Sequence, residues 1–369
     1  MHVGPTAYAI STAIDALIAC ALVAWAVRRR PPLPLLLAGI ALAIALVGVK
    51  LSLMVGAGLD RPFGVAHVLW LDAVVALPIA AVALALLGWR AGGWLLRGLV
   101  MLGLLLAPVG AYASFVEPQR LVLERAQVPL DQARAGADSV RVAVLADIQF
   151  DRLGEHEREA VARVMEQRPD VILLPGDYID GSPAERAREL PKLRELFARL
   201  RAPGGVFAVQ GDQETAEQAR AIFDGSGIRL LENELVTTRV GDRRITIAGI
   251  EKHYVTADAR AAIRALEARP GARDVRILLA HRPDPVLRLR PETRLDLVVA
   301  GHTHGGQLQL PFLGPLRTAS GVPREVAAGG LHTLDGRRIY VSRGVGVERG
   351  QAPKLRLGAP PEISLLELG

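Results

Sequence analysis

The first 116 residues contain four long apolar segments, which restrict the fold of this part of the chain more than any other feature. The segments cover roughly residues 7–27, 33–56, 66–87 and 94–115. Each is about 20 residues long, the length of a helix that crosses a bilayer. We therefore predict a four-helix transmembrane domain over residues 1–116, with buried core helices of a soluble protein as the alternative.

The connections between these segments differ in charge. The first carries three arginines at residues 28–30, and the third carries Arg90, with Arg97 just inside the fourth segment. The second connection has only Arg61, which lies beside Asp60. Because cytoplasmic loops are enriched in basic residues, the first and third connections are expected in the cytoplasm. We expect a protein integral to the cytoplasmic membrane, with both termini and the remaining domain extracytoplasmic.

Three ionisable residues interrupt the apolar segments, namely Asp15, Lys50 and Asp72. A charge inside a bilayer is costly unless it is paired or lies in a wet cavity. In the predicted topology the three residues lie at a similar depth, where Lys50 could pair with either aspartate. We expect an intramembrane polar cluster, either a structural ion cluster or a pocket for a lipid headgroup.

Residues 117–369 carry most of the charge but are close to neutral. Seven of the 44 basic residues and three of the 38 acidic residues lie in residues 1–116, so 37 and 35 remain for the rest of the chain. A surface that binds nucleic acid normally needs an excess of basic residues. The composition therefore argues against a nucleic-acid partner.

Short apolar stretches alternate with amphipathic stretches in residues 117–369, which is typical of an α/β domain. An edge strand is predicted at residues 121–130, and buried strands at residues 140–148, 170–174, 205–209, 244–250, 275–279 and 295–300. Helices are predicted at residues 155–167, 185–200 and 257–268. Two later strands, at residues 338–342 and 362–366, suggest a second sheet.

Polar side chains follow five of these strands at the point where each strand ends. They are Asp147 and Gln149, then Asp177, then Asp212 and Gln213, then His281, and finally His302 and His304 in the sequence Gly-His-Thr-His-Gly-Gly-Gln. Functional groups of α/β folds collect at the carboxyl ends of strands. Mixed carboxylate and imidazole ligands suit Mn, Fe or Zn ions. Two such ions about 3.5–4 Å apart can act as a clamp in phosphoryl displacement.

This order of motifs resembles that of the calcineurin-like metallophosphoesterases, which carry Asp-x-His, Gly-Asp, Gly-Asn-His, His and Gly-His-x-His. The loop at residues 301–307 and the ending Arg-Leu-Gly-Ala-Pro-Pro-Glu at residues 356–362 look most like the membrane-associated bacterial branch. The resemblance covers about residues 120–369 and implies a calcineurin-like phosphoesterase domain over residues 117–369, built as a four-layer α/β/β/α sandwich. It also implies two metal ions, the first bound by Asp147, Gln149, Asp177 and His304, and the second by Asp177, Asp212, His281 and His302.

Three positions differ from the family pattern: Gln149 replaces a histidine, Asp212 an asparagine and Gln213 a histidine. The first two changes make the ligand set harder and more anionic, which favours Mn²⁺ or Mg²⁺ over Zn²⁺, with Fe also possible. Glutamine at position 213 can donate a hydrogen bond but cannot deliver a proton at neutral pH. His253, in the loop after the strand at residues 244–250, is a candidate substitute acid; an ordinary surface histidine is the alternative.

These observations favour a membrane-anchored, divalent-metal-dependent phosphoesterase. The expected reaction is hydrolysis of a phosphodiester or pyrophosphate by metal-bound hydroxide, with Asp177 and Gln213 as catalytic residues. The expected substrate is a phosphorylated small molecule or a lipid-linked phosphate, with membrane lipid as a further partner. One alternative is a weakly active or inactive metal-binding pseudoenzyme that senses a phosphorylated ligand. A transporter or receptor that works through the four membrane helices is another.

Overall fold

The computed structural model describes residues 5–88, 94–131, 134, 138–269, 271, 274–348 and 350–369. These residues form two compact units, which are described separately. The helical unit consists of Met1–Val116 and Glu348–Lys354, and the second unit of Glu117–Val347 and Leu355–Gly369.

The helical unit has five α-helices, two of which are extended by a π-helical turn, among the residues that the structure describes. They are α1 (Pro5–Arg29), α2 (Leu33–Gly56), α3 (Phe63–Leu71) continued through the π turn Asp72–Ala76 into α4 (Leu77–Gly88), and α5 (Trp94–Ala111) continued by the π turn Tyr112–Val116. Four stretches are long and apolar enough to span a membrane: Thr6–Arg29, Leu33–Gly56, Phe63–Leu87 and Arg97–Gln119.

The second helix shows why this unit suits a bilayer. None of the residues of α2, all of which the structure describes, is buried. Leu42 and Leu53 are 61% and 70% exposed. In water, α2 would expose a continuous apolar surface to the solvent. The arrangement therefore fits a lipid environment and not the core of a soluble protein.

Two of the three ionisable residues predicted inside the membrane segments, Lys50 and Asp15, contact each other. The Lys50 ammonium forms an ion pair with Asp15 of α1 and donates a hydrogen bond to the Ser11 hydroxyl at 2.7 Å. Asp72 begins the π turn, and one carboxylate oxygen of each aspartate is buried with no hydrogen-bond partner among the described residues. Lys50 therefore joins α2 to α1 by a polar contact.

The second unit contains fourteen strands in its described part. They are β1 (Val122–Val128), β2 (Val140–Val144), β3 (Val171–Leu174), β4 (Val206–Ala208), β5 (Arg229–Leu230), β6 (Glu234–Val240), β7 (Arg243–Gly249), β8 (Asp274–Leu279), β9 (Leu297–Ala300), β10 (Gln309–Leu310), β11 (Gly314–Pro315), β12 (Gly330–Leu334), β13 (Arg337–Val341) and β14 (Glu362–Leu368). The helices are α6 (Glu155–Glu166), α7 (Pro183–Phe197), α8 (Ala216–Phe223), α9 (Ala257–Glu267) and α10 (Arg324–Ala327), with 3₁₀ turns at Glu117–Gln119, Asp284–Arg288 and His304–Gly306.

Two six-stranded sheets form the centre of this unit. The first has the order β1-β14-β2-β3-β4-β5 and the second the order β12-β13-β9-β8-β7-β6, while β10 and β11 form a separate pair. Apolar side chains of both sheets, such as Val142 and Leu173 of the first and Ile277 and Val299 of the second, share one buried cluster. Helices α6, α7 and α8 cover the outer face of the first sheet and α9 covers the second. The result is the expected four-layer α/β/β/α sandwich.

The predicted assignment of strands to sheets was wrong in part. The strand at residues 338–342 does lie in the second sheet, as β13, but the strand at residues 362–366 is β14 and lies inside the first sheet. It pairs parallel with β1 and antiparallel with β2. The physical reason is its apolar character on both faces: Ile363 and Leu365 face the helices, while Leu366 and Leu368 face the second sheet. A strand of this kind fits an interior position.

Gln351 fixes the short segment Glu348–Lys354 within the helical unit. Its side-chain oxygen accepts from the backbone N–H of Asp60 at 2.7 Å and from the Tyr8 hydroxyl at 3.3 Å. Its amide nitrogen donates to the Gly58 carbonyl at 3.0 Å. No motif in the sequence indicated that a segment so far along the chain packs with the N-terminal helices.

Replacing Lys50 by methionine should destabilise the full chain, because it leaves the Asp15 carboxylate buried without its cation. The side chains of Lys50 and Asp15 are 14% and 5% exposed, and breaking a buried pair from one side costs about 3–5 kcal/mol. We expect a lower Tm in detergent. The double variant Lys50→Met/Asp15→Leu serves as control and should recover most of the loss. An unchanged Tm for Lys50→Met alone would contradict the assigned ion pair.

Candidate metal centre

The predicted site residues lie at the carboxyl ends of strands from both sheets. Parallel strands β2, β3 and β4 of the first sheet lead to three carboxylates, and parallel strands β8 and β9 of the second lead to three imidazoles. In chain order the six residues are Asp147, Asp177, Asp212, His281, His302 and His304. The first sheet therefore supplies the acidic groups and the second sheet the histidines.

Asp212, His281 and His302 form the first group of converging ligand atoms. His302 Nδ1 lies 3.2 Å from Asp212 Oδ2 and 3.2 Å from His281 Nε2. His281 Nε2 lies 3.7 Å from Asp212 Oδ2. Metal–ligand bonds of about 2.0–2.2 Å place ligand atoms on one ion roughly 3.0–3.6 Å apart. The spacing of these three atoms therefore fits a bound cation.

Asp147, Asp177 and His281 form a second group, and all three are buried. His281 Nε2 lies 3.6 Å from Asp177 Oδ1, while His281 Nδ1 donates to the Pro175 carbonyl at 2.9 Å and so leaves Nε2 as the ligand atom. Both oxygens of Asp147 also accept a hydrogen bond from the backbone N–H of His302, at 3.1 and 3.0 Å. The carboxylates of the first sheet are thus tied to the histidine loop of the second, and both groups have the chemistry of a divalent-metal site.

The backbone of these residues is unusual. Asp147, Asp177, His302 and His304 have φ values of 46°, 57°, 72° and 48°. Residues other than glycine rarely adopt this left-handed conformation, and each instance costs of order 1–3 kcal/mol. At each of these four residues, which are all proposed ligands, the chain turns sharply beyond the end of a strand.

Two glycines allow the ligands to approach one another. A Cβ atom at Gly211 would lie 2.2 Å from the backbone nitrogen of Asp177, and one at Gly301 would lie 2.3 Å from Asp147 Oδ2. Real Cβ atoms do not come so close to other heavy atoms. The glycines that precede Asp212 and His302 in the sequence are therefore required by packing.

Arg282 and the two histidines control the charge of Asp212. Arg282 donates to Asp212 Oδ2 from Nε at 3.0 Å and from Nη2 at 2.7 Å. Burial alone would raise the pKa of Asp212, but the hydrogen bonds from His302 and Arg282 bring this pKa well below its usual value. Burial lowers the pKa of His281 against the opposing charge of Asp177, so its imidazole stays in the neutral form that binds metals.

Gln149 and His304 contact each other, and His304 belongs to neither of the two groups of converging ligand atoms. The Gln149 amide nitrogen lies 2.8 Å from His304 Nε2 and donates to the Val347 carbonyl at 2.9 Å. On the other side of the ring, Arg356 Nη2 lies 3.4 Å from His304 Nδ1.

Gln213 lies next to the carboxylate that the resemblance assigns to both metals. Its backbone N–H donates to Asp177 Oδ1 at 2.9 Å. Its side-chain nitrogen is buried and has no hydrogen-bond partner among the residues that the structure describes. A buried donor without an acceptor is costly, which indicates that a ligand or water completes this part of the site.

Three further residues, for which no motif indicated a role, support the site. Glu214 accepts hydrogen bonds from the backbone N–H groups of Gly211 at 2.6 Å and Asp177 at 3.2 Å, so it braces two of the loops. Burial and the charge of Asp177 raise the pKa of Glu214 to about 7. The other two are Arg282 and Arg356. In the sequence, each of the three residues is close to a motif: Glu214 follows Asp212-Gln213, Arg282 follows His281, and Arg356 begins the ending at residues 356–362. No other feature of the sequence indicated them.

His253 is not placed with the other predicted residues. It is exposed and belongs to neither group of ligand atoms in the described part of the chain. Its backbone carbonyl accepts from Thr256 in the turn that precedes α9. This environment matches an ordinary surface histidine.

Replacing Gly301 by alanine should weaken metal binding, because the added methyl group overlaps the Asp147 carboxylate. Changes beside metal ligands typically reduce affinity about 10–100-fold, and we expect a loss of this size for Mn²⁺ in calorimetric titrations of the full chain. Gly48→Ala in α2, where a Cβ atom meets nothing within 4 Å, is the control. Equal Mn²⁺ affinity in both variants would show that the Asp147 carboxylate is not a ligand.

This chain is similar to several known proteins. The model of the calcineurin-like phosphoesterase family matches residues 140–306. Phosphodiesterase YaeI of Escherichia coli is 30% identical over 265 residues, which cover 70% of this chain and 92% of that protein. The uncharacterized metallophosphoesterase YkuE of Bacillus subtilis is 28% identical over 267 residues, covering 70% and 88%. The crystal structure of a dimetal phosphatase from Danio rerio matches 57% of this chain and 88% of that one, with a TM-score of 0.34 and 13% identity. On the strength of the family model and the E. coli relative, this chain belongs to the calcineurin-like phosphoesterases, a family of metal-dependent phosphohydrolases.

Proposed function

We propose that this protein hydrolyses a phosphodiester or pyrophosphate bond at a centre of two divalent metal ions. The proposed ligands are Asp147, Gln149, Asp177 and His304 for one ion, and Asp177, Asp212, His281 and His302 for the other. The observation that carries the proposal is the convergence of carboxylates from one sheet and imidazoles from the other, with ligand atoms 3.2–3.7 Å apart. The phosphodiesterase name of the E. coli relative supports the phosphodiester class.

When bound by these residues, two divalent metal ions would supply Lewis acidity and lower the pKa of a bound water. The chain's own contribution centres on Asp177 and Gln213. Asp177 is held by the backbone N–H of Gln213, and the unpartnered side-chain amide of Gln213 can donate to a phosphoryl oxygen as charge develops there. Because an amide cannot deliver a proton, the reaction suits a substrate with a good leaving group.

The native metal is proposed to be Mn²⁺ or Mg²⁺. Asp212 places a carboxylate, whose pKa is well below its usual value, where the family has a neutral asparagine. Oxygen ligands of this kind favour harder ions over Zn²⁺. Arg282 balances part of the added negative charge.

The proposed location of the phosphoesterase unit is the outer side of the cytoplasmic membrane, with four spans and both termini extracytoplasmic. The proposal rests on the arginines at residues 28–30 and on Arg90 and Arg97, which favour a cytoplasmic position for the first and third connections. An enzyme held at a membrane surface meets phosphorylated lipids at high local concentration. We therefore include a lipid-linked phosphate among the proposed substrates.

A specific observation favours one alternative function, a metal-binding pseudoenzyme that senses a phosphorylated ligand. The Gln149 amide nitrogen lies 2.8 Å from His304 Nε2, so these two residues are not arranged as a pair of ligands. Together with glutamine at position 213, this arrangement weakens the case for hydrolysis. The intact set of Asp147, Asp177, Asp212, His281 and His302 favours the enzyme.

Hydrolysis of bis(p-nitrophenyl) phosphate by the full chain in detergent with Mn²⁺ separates the two functions. Asp177→Asn should lower the rate at least about 100-fold, because metal ions contribute several kcal/mol and about 1.4 kcal/mol corresponds to a factor of ten. Asp258→Asn on the exposed first turn of α9 is the control. Gln213→His should raise the rate, since it restores a group that can transfer a proton. Equal background rates for the wild type and Asp177→Asn would support the pseudoenzyme.

Metal analysis tests the proposed ion. The full chain purified without added metals should contain Mn²⁺ or Mg²⁺, and Asp212→Asn should increase the share of Zn²⁺ because it removes the anionic oxygen ligand. Inductively coupled plasma mass spectrometry measures both proteins in parallel. Stoichiometric zinc in the wild type would rule out the proposed preference.

A further inference from the structure

The second unit contains a cavity of about 290 Å³ beside α9, the helix that covers the second sheet. All of its lining residues belong to this unit, and none of them is a proposed metal ligand. Its walls come from α9, from the loop before α9, and from the 3₁₀ turn Asp284–Arg288 with the two residues after it. Ligand sites usually enclose about 300–1,000 Å³. The cavity is therefore of a size that suits one small molecule.

Positive charge is concentrated in this cavity. Its charged lining residues are four arginines, Arg260, Arg264, Arg288 and Arg290, and one acid, Glu267. Four positive charges and one negative charge leave a net charge of +3, although residues 117–369 as a whole are close to neutral. Arg260 and Arg264 are four positions apart in α9, so their side chains lie on the same face of the helix and repel each other. An anion bound between them would remove this repulsion.

Three of these arginines are not neutralised by a carboxylate. Arg290 lies 3.8 Å from Glu267 and forms an ion pair with it. Arg260, Arg264 and Arg288 are exposed and form no ion pair with any residue that the structure describes. A concave surface with uncompensated charge of one sign attracts ligands of the opposite sign. The charge of the cavity thus favours an anionic ligand.

Local contacts hold two of these arginine side chains in place. Arg260 Nη1 donates to the Val255 carbonyl at 2.7 Å. The Arg288 guanidinium lies over the ring of Tyr254, 5.7 Å from its centroid, an arrangement that the electron-rich face of the ring stabilises. Side chains that are already fixed lose less conformational freedom when a ligand binds. Two of the charged groups are therefore preorganised for binding.

The inner wall of the cavity is apolar. Pro285 and Leu289 are buried, Ile263 is half-buried, and all three line the cavity. Guanidinium groups match the geometry of phosphate oxygens, while an apolar wall suits a ring or a short apolar group. The combination fits a small phosphorylated molecule that also has an apolar part. A cavity of this size has no room for the acyl chains of a lipid.

We propose that this cavity binds a soluble phosphorylated molecule with a ring or short apolar group, at a site separate from the metal centre. The proposal does not rest on the proposed phosphoesterase function, because none of the lining residues takes part in it. The cavity nevertheless lies close to that centre along the chain. Pro285 comes four residues after His281, so a ligand here contacts the segment that leads away from a proposed metal ligand.

Phenylphosphonate is a suitable probe, because it carries a phosphoryl group and a ring and resists hydrolysis. It is titrated calorimetrically into the full chain in detergent, with EDTA present so that no metal ion contributes. We expect one molecule bound per chain, at least about tenfold more tightly than inorganic phosphate, which lacks the apolar contact. Benzamide, which has the ring but no charge, should bind at least about tenfold more weakly than phenylphosphonate. Equal affinities for the three compounds would overturn the proposal.

Substitutions of single arginines locate the bound probe. Arg264→Gln and, independently, Arg288→Gln should each weaken phenylphosphonate binding at least about tenfold, because each removes a charge-assisted hydrogen bond. Arg158→Gln, at an exposed position of α6, is the matched control and should keep the wild-type affinity. Wild-type affinity in both cavity variants would overturn the site. A loss in Arg282→Gln alone would place the anion beside Asp212 and would overturn it as well.

A short-chain lipid distinguishes a soluble ligand from a lipid headgroup. Dihexanoyl phosphatidate carries the same kind of phosphoryl group on two acyl chains and is titrated under the same conditions. It should bind more weakly than phenylphosphonate, because its chains do not fit a cavity of about 290 Å³. Tighter binding of the lipid, lost in Arg264→Gln, would overturn the soluble ligand in favour of a headgroup.

Discussion

The metal centre depends on sharp, left-handed turns of the backbone at the ends of strands. Asp147, Asp177, His302 and His304 all have positive φ values, which L residues other than glycine adopt only at a cost. The turns bring side chains from separate strands towards common points, and Gly211 and Gly301 provide the close contacts that this requires. Such a strained arrangement persists only because the strands before it are firmly packed.

That packing explains why the site needs two sheets. The carboxylates come from the first sheet and the imidazoles from the second, and the backbone of His302 is bonded to the Asp147 carboxylate across the two. The apolar cluster between the two sheets packs them together and so fixes their relative position. The folding energy gained from this interior therefore offsets both the strained turns and the desolvation of buried carboxylates. A metal bound by residues of both sheets would in turn strengthen their association.

Much of the fold and the candidate site could be predicted, because the signals were local. Long apolar segments, alternating strands and helices, and a ligand at each strand end are all visible within short stretches of sequence. The missed features are pairings between distant residues. The position of β14 between β1 and β2, the packing of Gln351 with Tyr8 and the pairing of Arg282 with Asp212 depend on tertiary structure. The contact between Gln149 and His304 depends on the orientation of one amide, which residue identity does not determine.

Electron paramagnetic resonance of the Mn²⁺-loaded full chain tests the central claim most directly. If Asp177 is a ligand of both ions, as proposed, the ions would lie close enough for exchange coupling, so we predict two Mn²⁺ per chain and a coupled multiline spectrum. Asp177→Asn should lose the coupling, because the proposed bridging carboxylate is gone. A simple six-line spectrum from a single Mn²⁺ in the wild type, unchanged by Asp177→Asn, would contradict the two-metal centre.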